Sequence, residues 1–527
     1  MFEVSMFQIF VIFMIILYII RRPRIGKDEP PFVPYTIPIL GHSYNYLFNP
    51  KKFIKECKEQ YGDCFSIYVF GHVMTVVSRD SLTEVFKNSD DFDFSSALNE
   101  LLPLHRLFTY NGGITKESNI FHAKTAREQV SGKLALNTNI VQKYLMKGMD
   151  KWIGDCNDPK IVDNTWRTFN NIVALSITNI FAGEEAAIHE DLIESFGSFA
   201  FDVGSLLMIP PILSFIHPKL HEIVITLPMK FGWNPVSRHR EVAMNRLRPV
   251  IEKRLKEKTI LGNNYKPYND LLEYYMNQPN FDYTNSDNLS YHVENLLVMV
   301  FASINTTSRT VVDVLYDLAG RPEILNELYE EALTINKEYN GTITILEIQK
   351  MVKLDSFIKE SLRHNDSILA LPHYMISKSY TFSNGYTILK GRKVIMCADD
   401  MLKAKECFGD DAEEFKPFRF VNANSPATKV DRSYIVFGGG RHACPGRFFA
   451  ITETKLLLHK LIMKYKFSTK SGKIEKKIYI GPITIPNQSS LVFENRSNSG
   501  GDLNGIGDVD ASVGFGFGGG VGDFGGG

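Results

Sequence analysis

Between Asn285 and Gly320 runs the longest helical pattern in the chain. Asn285, Ser286 and Asp287 supply capping side chains at its start, and Gly320-Arg321-Pro322 stops it after Ala319. About 32 residues rising about 1.5 Å each make a rod of about 48 Å, enough to cross a whole domain. A chain of 527 residues would ordinarily divide into two or three domains, yet 44% hydrophobic and 12% aromatic residues are ample for one large core. In the middle of the rod stands Phe301-Ala302-Ser303-Ile304-Asn305-Thr306-Thr307. Paired threonines within a helix bond back to the i−4 carbonyl, bend the rod and open a polar notch in an apolar surface. Taken alone, such a pair more often belongs to an ordinary helix interior.

A second landmark is the turn Phe437-Gly438-Gly439-Gly440-Arg441-His442-Ala443-Cys444-Pro445-Gly446. It follows an apolar, strand-like piece, Tyr434-Ile435-Val436, and precedes a helical pattern from Phe448 to Tyr465. Glycines let backbone fold closely around Cys444, so that nearby N–H groups can tune a thiolate that ligates a metal. The bland alternative is a buried free cysteine in a glycine-rich turn. Upstream, Glu360-Ser361-Leu362-Arg363 places opposite charges three apart on one helix face. Phe415-Lys416-Pro417-Phe418-Arg419-Phe420 then adds an arginine flanked by aromatics.

The spacing of Phe437, Gly440, Cys444 and Gly446 resembles the haem-thiolate loop of the cytochrome P450 family. The two charged stretches resemble its Glu-x-x-Arg and Phe-x-Pro-x-Arg-Phe signatures, and the Thr306 run its oxygen-activation groove. The four signatures stand in the family's order, and the resemblance covers about residues 28 to 495. The resemblance implies a mostly α fold with a small β subdomain (α+β), with haem b (iron protoporphyrin IX) between the long helix and the cysteine loop. It makes Cys444 the axial iron ligand, whose thiolate donates electron density that favours O–O cleavage. Phe437 packs near that thiolate, Gly440 and Gly446 permit the turn, and His442 lies against a haem propionate. Thr306 falls on the catalytic threonine. Asn305 stands where an acid is usual, so proton delivery relies on the hydroxyl and ordered water, and Ser303 replaces a usual glycine; some fungal members carry a similar run. Glu360, Arg363 and Arg419 form a buried network supporting the haem loop, costly unless fully paired. His373 occupies the place of an arginine that often contacts a propionate. Lys124 and Arg127 lie where the family commonly has Trp-x-x-x-Arg; without that tryptophan, a propionate contact competes with a solvated helix face. Phe301, Ala302, Leu369, Ala370, Ile483 and Thr484 suggest an apolar substrate cavity.

Val4 to Ile20 is almost wholly apolar, and Arg21, Arg22, Arg24 and Lys27 follow at once. Seventeen residues sit at the short end of what spans a bilayer. A cleaved signal peptide is the rival, but there is no basic n-region and no small-residue cleavage site. Residues 1–20 therefore read as a transmembrane anchor with the remainder cytosolic, as on the endoplasmic reticulum. Residues 21–38, basic and proline-rich, form a stiff hinge. Residues 39–495 form the enzyme, and 496–527 a Gly-rich tail. From Gly500 onward that tail has 13 glycines, four aspartates and no cation, a composition for disorder. Pro50 to Tyr61 reads as a helix, and Cys64 to Phe70 with Val73 to Val77 as a hairpin. Phe94 to Ile120 reads as a long loop with short helical pieces, and Phe121 to Arg127 as the start of a helix. Leu206 to Trp233 is apolar enough to touch lipid, or to form a buried helix pair. The six cysteines lack a disulfide-like framework. Equal counts of 59 cations and 59 acids, with no nucleic-acid motif, give no reason to expect nucleic-acid binding.

By the resemblance, the chain is a monooxygenase of an apolar lipid-like substrate (sterol, terpenoid or fatty acid), drawing electrons from a separate NADPH-cytochrome P450 reductase, with cytochrome b5 as a further candidate donor. A reductase-independent isomerase or dehydratase of oxygenated lipids, and a non-enzymatic haem binder, are the rivals.

Overall fold

The computed structural model describes residues 6–209, 211–339, 343–365 and 367–496. Its axis is the helix Ser286–Ala319, capped by Asn285, whose side chain accepts from the amides of Asp287 and Asn288 at 2.9 and 3.0 Å. Thr165–Ala182, Glu190–Gly204, Pro235–Leu261, Val352–Asn365 and Arg447–Lys464 pack around it. Val311, Val312, Val314, Leu315 and Leu318 are fully buried on several sides, as a rod surrounded by other helices requires.

The β part lies beside this bundle. Cys64–Val69 and His72–Val77 pair antiparallel with Cys64 opposite Val77 and Val69 opposite His72. The second strand then pairs parallel with Lys393–Cys397, completing the order Cys64–Val69, His72–Val77, Lys393–Cys397, Leu369–Met375, Phe92–Asp93. The proline-rich segment lies along this sheet: Val33 N–H donates to Ser66 O at 2.9 Å, and Ser66 N–H to Pro31 O at 2.8 Å. Gly41 has φ +59°, and a Cβ there would lie 2.4 Å from Tyr68 O, so glycine is needed where the chain turns onto the strand.

Two local expectations change. Tyr434-Ile435-Val436 is buried at its first two residues but forms no strand. Asp431 accepts the amides of Ser433 and Tyr434 at 2.9 Å, and Gly438 N–H donates to Ile435 O at 2.7 Å, so the backbone groups are spent in turns. The helix expected from Phe121 begins earlier, at Lys116, because Thr115 and Ser118 cap each other reciprocally. It passes into a π-helical stretch, Ala126–Val130. The long loop contains the helices Phe94–Leu101 and Leu104–Leu107. Its tip is pinned by Glu294 of the central helix, which is fully buried and accepts from the amides of Thr109, Tyr110 and Asn111 (3.2, 2.8, 3.0 Å) and from Arg240 Nη1 at 2.7 Å.

The apolar helix Met6–Arg21 exposes Ile9, Ile12, Ile15, Ile16, Ile19 and Ile20. Among the described residues, the one stretch long and apolar enough to cross a membrane is 190–215. Its first helix carries Phe196, Phe199 and Val203 into the protein core. Four of the six cysteines are buried, Cys407 is exposed and Cys444 is half-buried. The tail beyond Arg496 lies outside the described residues.

Glu453, on the helix after the cysteine loop, is buried, and neither carboxyl oxygen has a hydrogen-bond partner among the described residues. Burial pushes its carboxyl from 4.5 up to about 8, with Ser176 opposing. A raised folded pKa means the protonated fold is favoured: this contribution is fully present below pH 4.5 and is lost as pH rises through 8. Stability measured by urea unfolding should therefore fall by about 4 to 5 kcal/mol from this group across that window. Glu453→Gln, neutral throughout, should flatten the decline.

Candidate functional site

The Cys444 loop is shaped by its own turns and by what presses on it. Cys444 N–H donates to Phe437 O at 2.8 Å, and His442 N–H to Gly439 O at 3.2 Å. Gly440 has φ +56°, and a Cβ there would lie 2.5 Å from Phe86 O; one at Gly439 would lie 2.6 Å from the Phe86 ring. Only glycines let the loop sit this close to the helix Arg79–Lys87. Gly446 differs: its φ is −87°, and open space lies beside it. Phe437 is partly buried against the main core. Below the loop, Ser131 Oγ donates to Pro445 O at 2.9 Å, bringing the turn after the π-helical segment alongside.

Cys444 stands three residues before the start of the helix Arg447–Lys464. Burial pushes its thiol up, while the Gly446 and Arg447 amides and the Arg447 charge pull it down. Arg447 also fixes the loop, Nη1 donating to Cys444 O at 2.8 Å and Nε to Thr428 O at 3.0 Å. A thiolate here would be stabilised by the positive end of the helix and by two amides aimed at sulfur.

The strand Leu369–Met375 contributes a strained corner. Leu371 has φ +51°, at a register shift between Ala370 and His373. Its carbonyl is 2.8 Å from His373 Nδ1. The His373 and His442 rings lie 6.0 Å apart, and Nε2 of each is buried without a partner among the described residues. Burial pulls His373 down to about 4, and His442 down as well. Two buried, unsatisfied imidazole nitrogens side by side are costly unless an acceptor or an anion meets them.

The central helix presents a different surface. Ala302 and Thr306 are exposed in mid-rod, while Val300, Ile304, Thr307 and Ser308 are buried. These two residues, four apart, share one face and mark an opening inside the molecule. Thr306 Oγ1 donates to Ala302 O at 2.7 Å, and Thr310 Oγ1 to Thr306 O at 3.1 Å, forming the polar notch. Asn305 is half-buried. The Phe301 ring stands 6.2 Å from Phe199, closing one end with aromatic surface.

Glu360, Arg363 and Arg419 come together. Arg363 donates bidentately to Glu360 at 2.8 Å each, Arg419 Nε reaches the same carboxylate at 3.2 Å, and Lys416 N–H at 2.8 Å. Glu360 and Arg363 have wholly buried side chains. Desolvation alone would raise the Glu360 carboxyl, but the Arg363 and His364 hydrogen bonds and the Arg363 charge hold it at about 2.

Of the other expected positions, Leu369 and Ala370 lie beside Ile483 and Thr484, where Ile368 N–H donates to Pro482 O at 2.8 Å. Lys124 and Arg127 are exposed, with no ion pair among the described residues. Leu369 is committed to the sheet cluster with Phe65, Ile67 and Val76, and Ala370 packs on a neighbouring cluster. Thr484 is buried among polar partners: it bonds Arg309, and its hydroxyl donates to Asn365 O at 2.9 Å. It lines a cleft of about 140 Å³ with Asp313 and Asp317. Ile483, beside it, is half exposed. Sequence reading passed over His122, which is buried with both ring nitrogens unpartnered among the described residues and is pulled down to about 4 by burial. A single histidine on an apolar helix face gave little signal for it.

Comparison with known proteins adds the family. The family model "Cytochrome P450" matches residues 30–492. The chain belongs to the cytochrome P450 family. "Cytochrome P450 monooxygenase paxP" of Penicillium paxilli is 28% identical over 65% of this chain and 66% of its own length. "Lanosterol 14-alpha demethylase" of Cunninghamella elegans is 22% identical over 89% of this chain and 91% of its own. "Cytochrome P450 monooxygenase 110" of Postia placenta is 24% identical over 92% and 96%. The chain thus spans about two thirds to nearly all of these relatives. P450 proteins carry haem iron, and the residues present suit that group. A half-buried thiol stands at a helix N-terminus, with open space beside Gly446. Two buried, unpartnered imidazole nitrogens nearby suit an anionic substituent such as a propionate.

Removing the carboxylate at the centre of the ion network gives a direct check. Glu360→Gln leaves Arg363 buried against a neutral amide, at a cost of about 3 to 5 kcal/mol in urea unfolding. Because the folded pKa is depressed, the wild-type advantage is complete above pH 4.5 and disappears as pH falls towards 2.

Proposed function

We propose that this P450 is a membrane-anchored haem-thiolate monooxygenase of an apolar, lipid-like substrate, a sterol or terpenoid before a fatty acid. The observation that carries the reading is the exposed pair Ala302 and Thr306 in the middle of a helix buried through most of its length, with the helix that follows the Cys444 loop packed against the same rod. Names among its relatives support the substrate class: one is a lanosterol demethylase.

Cys444 is the residue to hold the iron, with the Gly446 and Arg447 amides steadying its charge. Haem iron bound there supplies the reductive activation of dioxygen. His442 and His373 are the partners for a propionate, with Lys124 and Arg127 as exposed cations for the other. Phe437 shields the sulfur, and Gly440 keeps the loop close. Thr306 holds a water or hydroxyl proton at its Oγ1 beside the reacting face, and Asn305, unable to supply a proton as an acid would, orients that water. Phe301 and Ala302 bound the apolar space. Glu360, Arg363 and Arg419 act through the loop's position. Electrons come from a separate NADPH-cytochrome P450 reductase, with cytochrome b5 as an alternative donor. Residues 1–20 anchor the chain in the endoplasmic reticulum, residues 21–38 connect it, and residues 39–495 face the cytosol as the enzyme.

Two measurements check this. Cys444→Ala should abolish the red-shifted ferrous–CO band; an unchanged band removes Cys444 as ligand. Thr306→Ala should lower product formed per NADPH consumed by about 10-fold or more, the scale of one positioned proton-transfer group. Turnover independent of NADPH and reductase would instead point to an isomerase or dehydratase.

A further inference from the structure

The polar end of the N-terminal helix is built into the protein. Arg21 Nη2 donates to Gly71 O at 2.6 Å and to Ser214 O at 3.3 Å, and Tyr68 Oη donates to Arg21 O at 2.9 Å. These bonds tie the last helical turn to the hairpin turn of the sheet and to the segment Ile212–Phe215. Gly71 has φ +79°, and a Cβ there would meet the Arg21 guanidinium at 2.3 Å, so the contact depends on glycine.

At this junction opens a cleft of about 330 Å³, a space on the order of ten water molecules. Its wall contains five cationic side chains, Arg21, Arg22, Arg24, Arg392 and Lys393, and no acidic residue. Two of the five are compensated from outside the wall. Glu29 accepts from Arg392 at 2.6 and 2.8 Å, and Glu100 pairs with Lys393 at 2.7 Å and with His72 at 3.3 Å. Arg21, Arg22 and Arg24 have no carboxylate partner among the described residues, and the side chains of Arg22 and Arg24 are exposed. Like charges gathered on one wall without a counter-ion favour an anion among them, and guanidinium forks match a phosphate bidentately.

The apolar surroundings narrow the anion. Ile20, 71% exposed, is itself a wall residue and ends the exposed isoleucine face of the helix. Ser214, bonded to Arg21, lies between the exposed side chains Ile212, Leu213 and Ile216. Apolar side chains thus adjoin guanidiniums that have no carboxylate partner, the order found at a phospholipid's ester boundary. We propose that this cleft binds an anionic phospholipid, with its phosphate among Arg21, Arg22 and Arg24 and its acyl chains along Ile20 and the Ile212–Ile216 rim. An occupied cleft joins anchor, hairpin and rim through one ligand.

The full chain in neutral detergent micelles would be titrated calorimetrically with dihexanoyl phosphatidate, dihexanoyl phosphatidylcholine and inorganic phosphate. Saturable, one-to-one binding of phosphatidate is expected, with phosphatidylcholine and inorganic phosphate at least 10-fold weaker. Arg22→Gln/Arg24→Gln should weaken phosphatidate about 30-fold, the effect of two surface cations on an anionic lipid. Arg22→Lys/Arg24→Lys should recover most of that loss, and the charge-matched Lys256→Gln/Lys266→Gln should leave binding unchanged. Equal binding of phosphatidylcholine overturns the proposal, as does an equal loss in the Lys256/Lys266 variant. Inorganic phosphate binding as tightly as phosphatidate would assign the cleft to free phosphate and overturn the lipid assignment.

Discussion

Glu360 is a carboxylate with a wholly buried side chain, and much of the architecture near Cys444 follows from how its charge is met. One oxygen alone receives Arg363, Arg419 and the Lys416 amide. The arginines also donate to backbone carbonyls, Arg363 to Leu402 and Ala412, Arg419 to Phe408, Asp411 and Glu414, and Arg419 Nη1 pairs with the Asp411 carboxylate at 2.6 Å. A stretch with little regular structure, from Leu402 to Arg419, is thereby held by charge-assisted bonds instead of a ladder. Such a cluster is a poor source of net stability but a strict one for geometry, since any missing partner leaves a buried charge. The chain that emerges from it leads into the Cys444 loop.

The loop itself depends on a second constraint, the contact of Gly439 and Gly440 with Phe86. It sets how near the turn approaches the neighbouring helix, while two residues beyond the cysteine open space lies beside Gly446. His373 and His442 supply unsatisfied nitrogens in the same neighbourhood, and the central helix turns a short exposed face inward at Ala302 and Thr306. Each is unfavourable or unusual in a closed core. Together they are economical if a large planar group with anionic arms occupies the space between them, as haem does.

Much of this was legible from local pattern. The central helix, its cap and its stop followed from Asn285 and Gly320, and the hairpin from Cys64 to Val77 followed from two apolar, strand-like runs joined at Gly71-His72. Glu360, Arg363 and Arg419 could be grouped because both stretches matched known signatures. What sequence could not deliver was pairing across distance. Nothing near Thr109–Asn111 announces that Glu294, over 180 positions away, takes three of its amides. Thr484 resembled an apolar wall residue, yet Arg309 and Asn365 make its setting polar. Tyr434-Ile435-Val436 had strand composition, but Asp431 captured its amides first. Leu369 looked like cavity lining until its strand turned it into the sheet cluster.

The central claim is that Cys444 sulfur is bound to haem iron in the working protein. Resonance Raman spectra of the ferric full-length protein, grown with natural and with ³⁴S-labelled cysteine, test it most directly. The account predicts an iron–sulfur stretching band that moves to lower frequency with the heavier isotope. A spectrum with haem bands but no isotope-sensitive mode would mean another residue holds the iron, and would contradict the account.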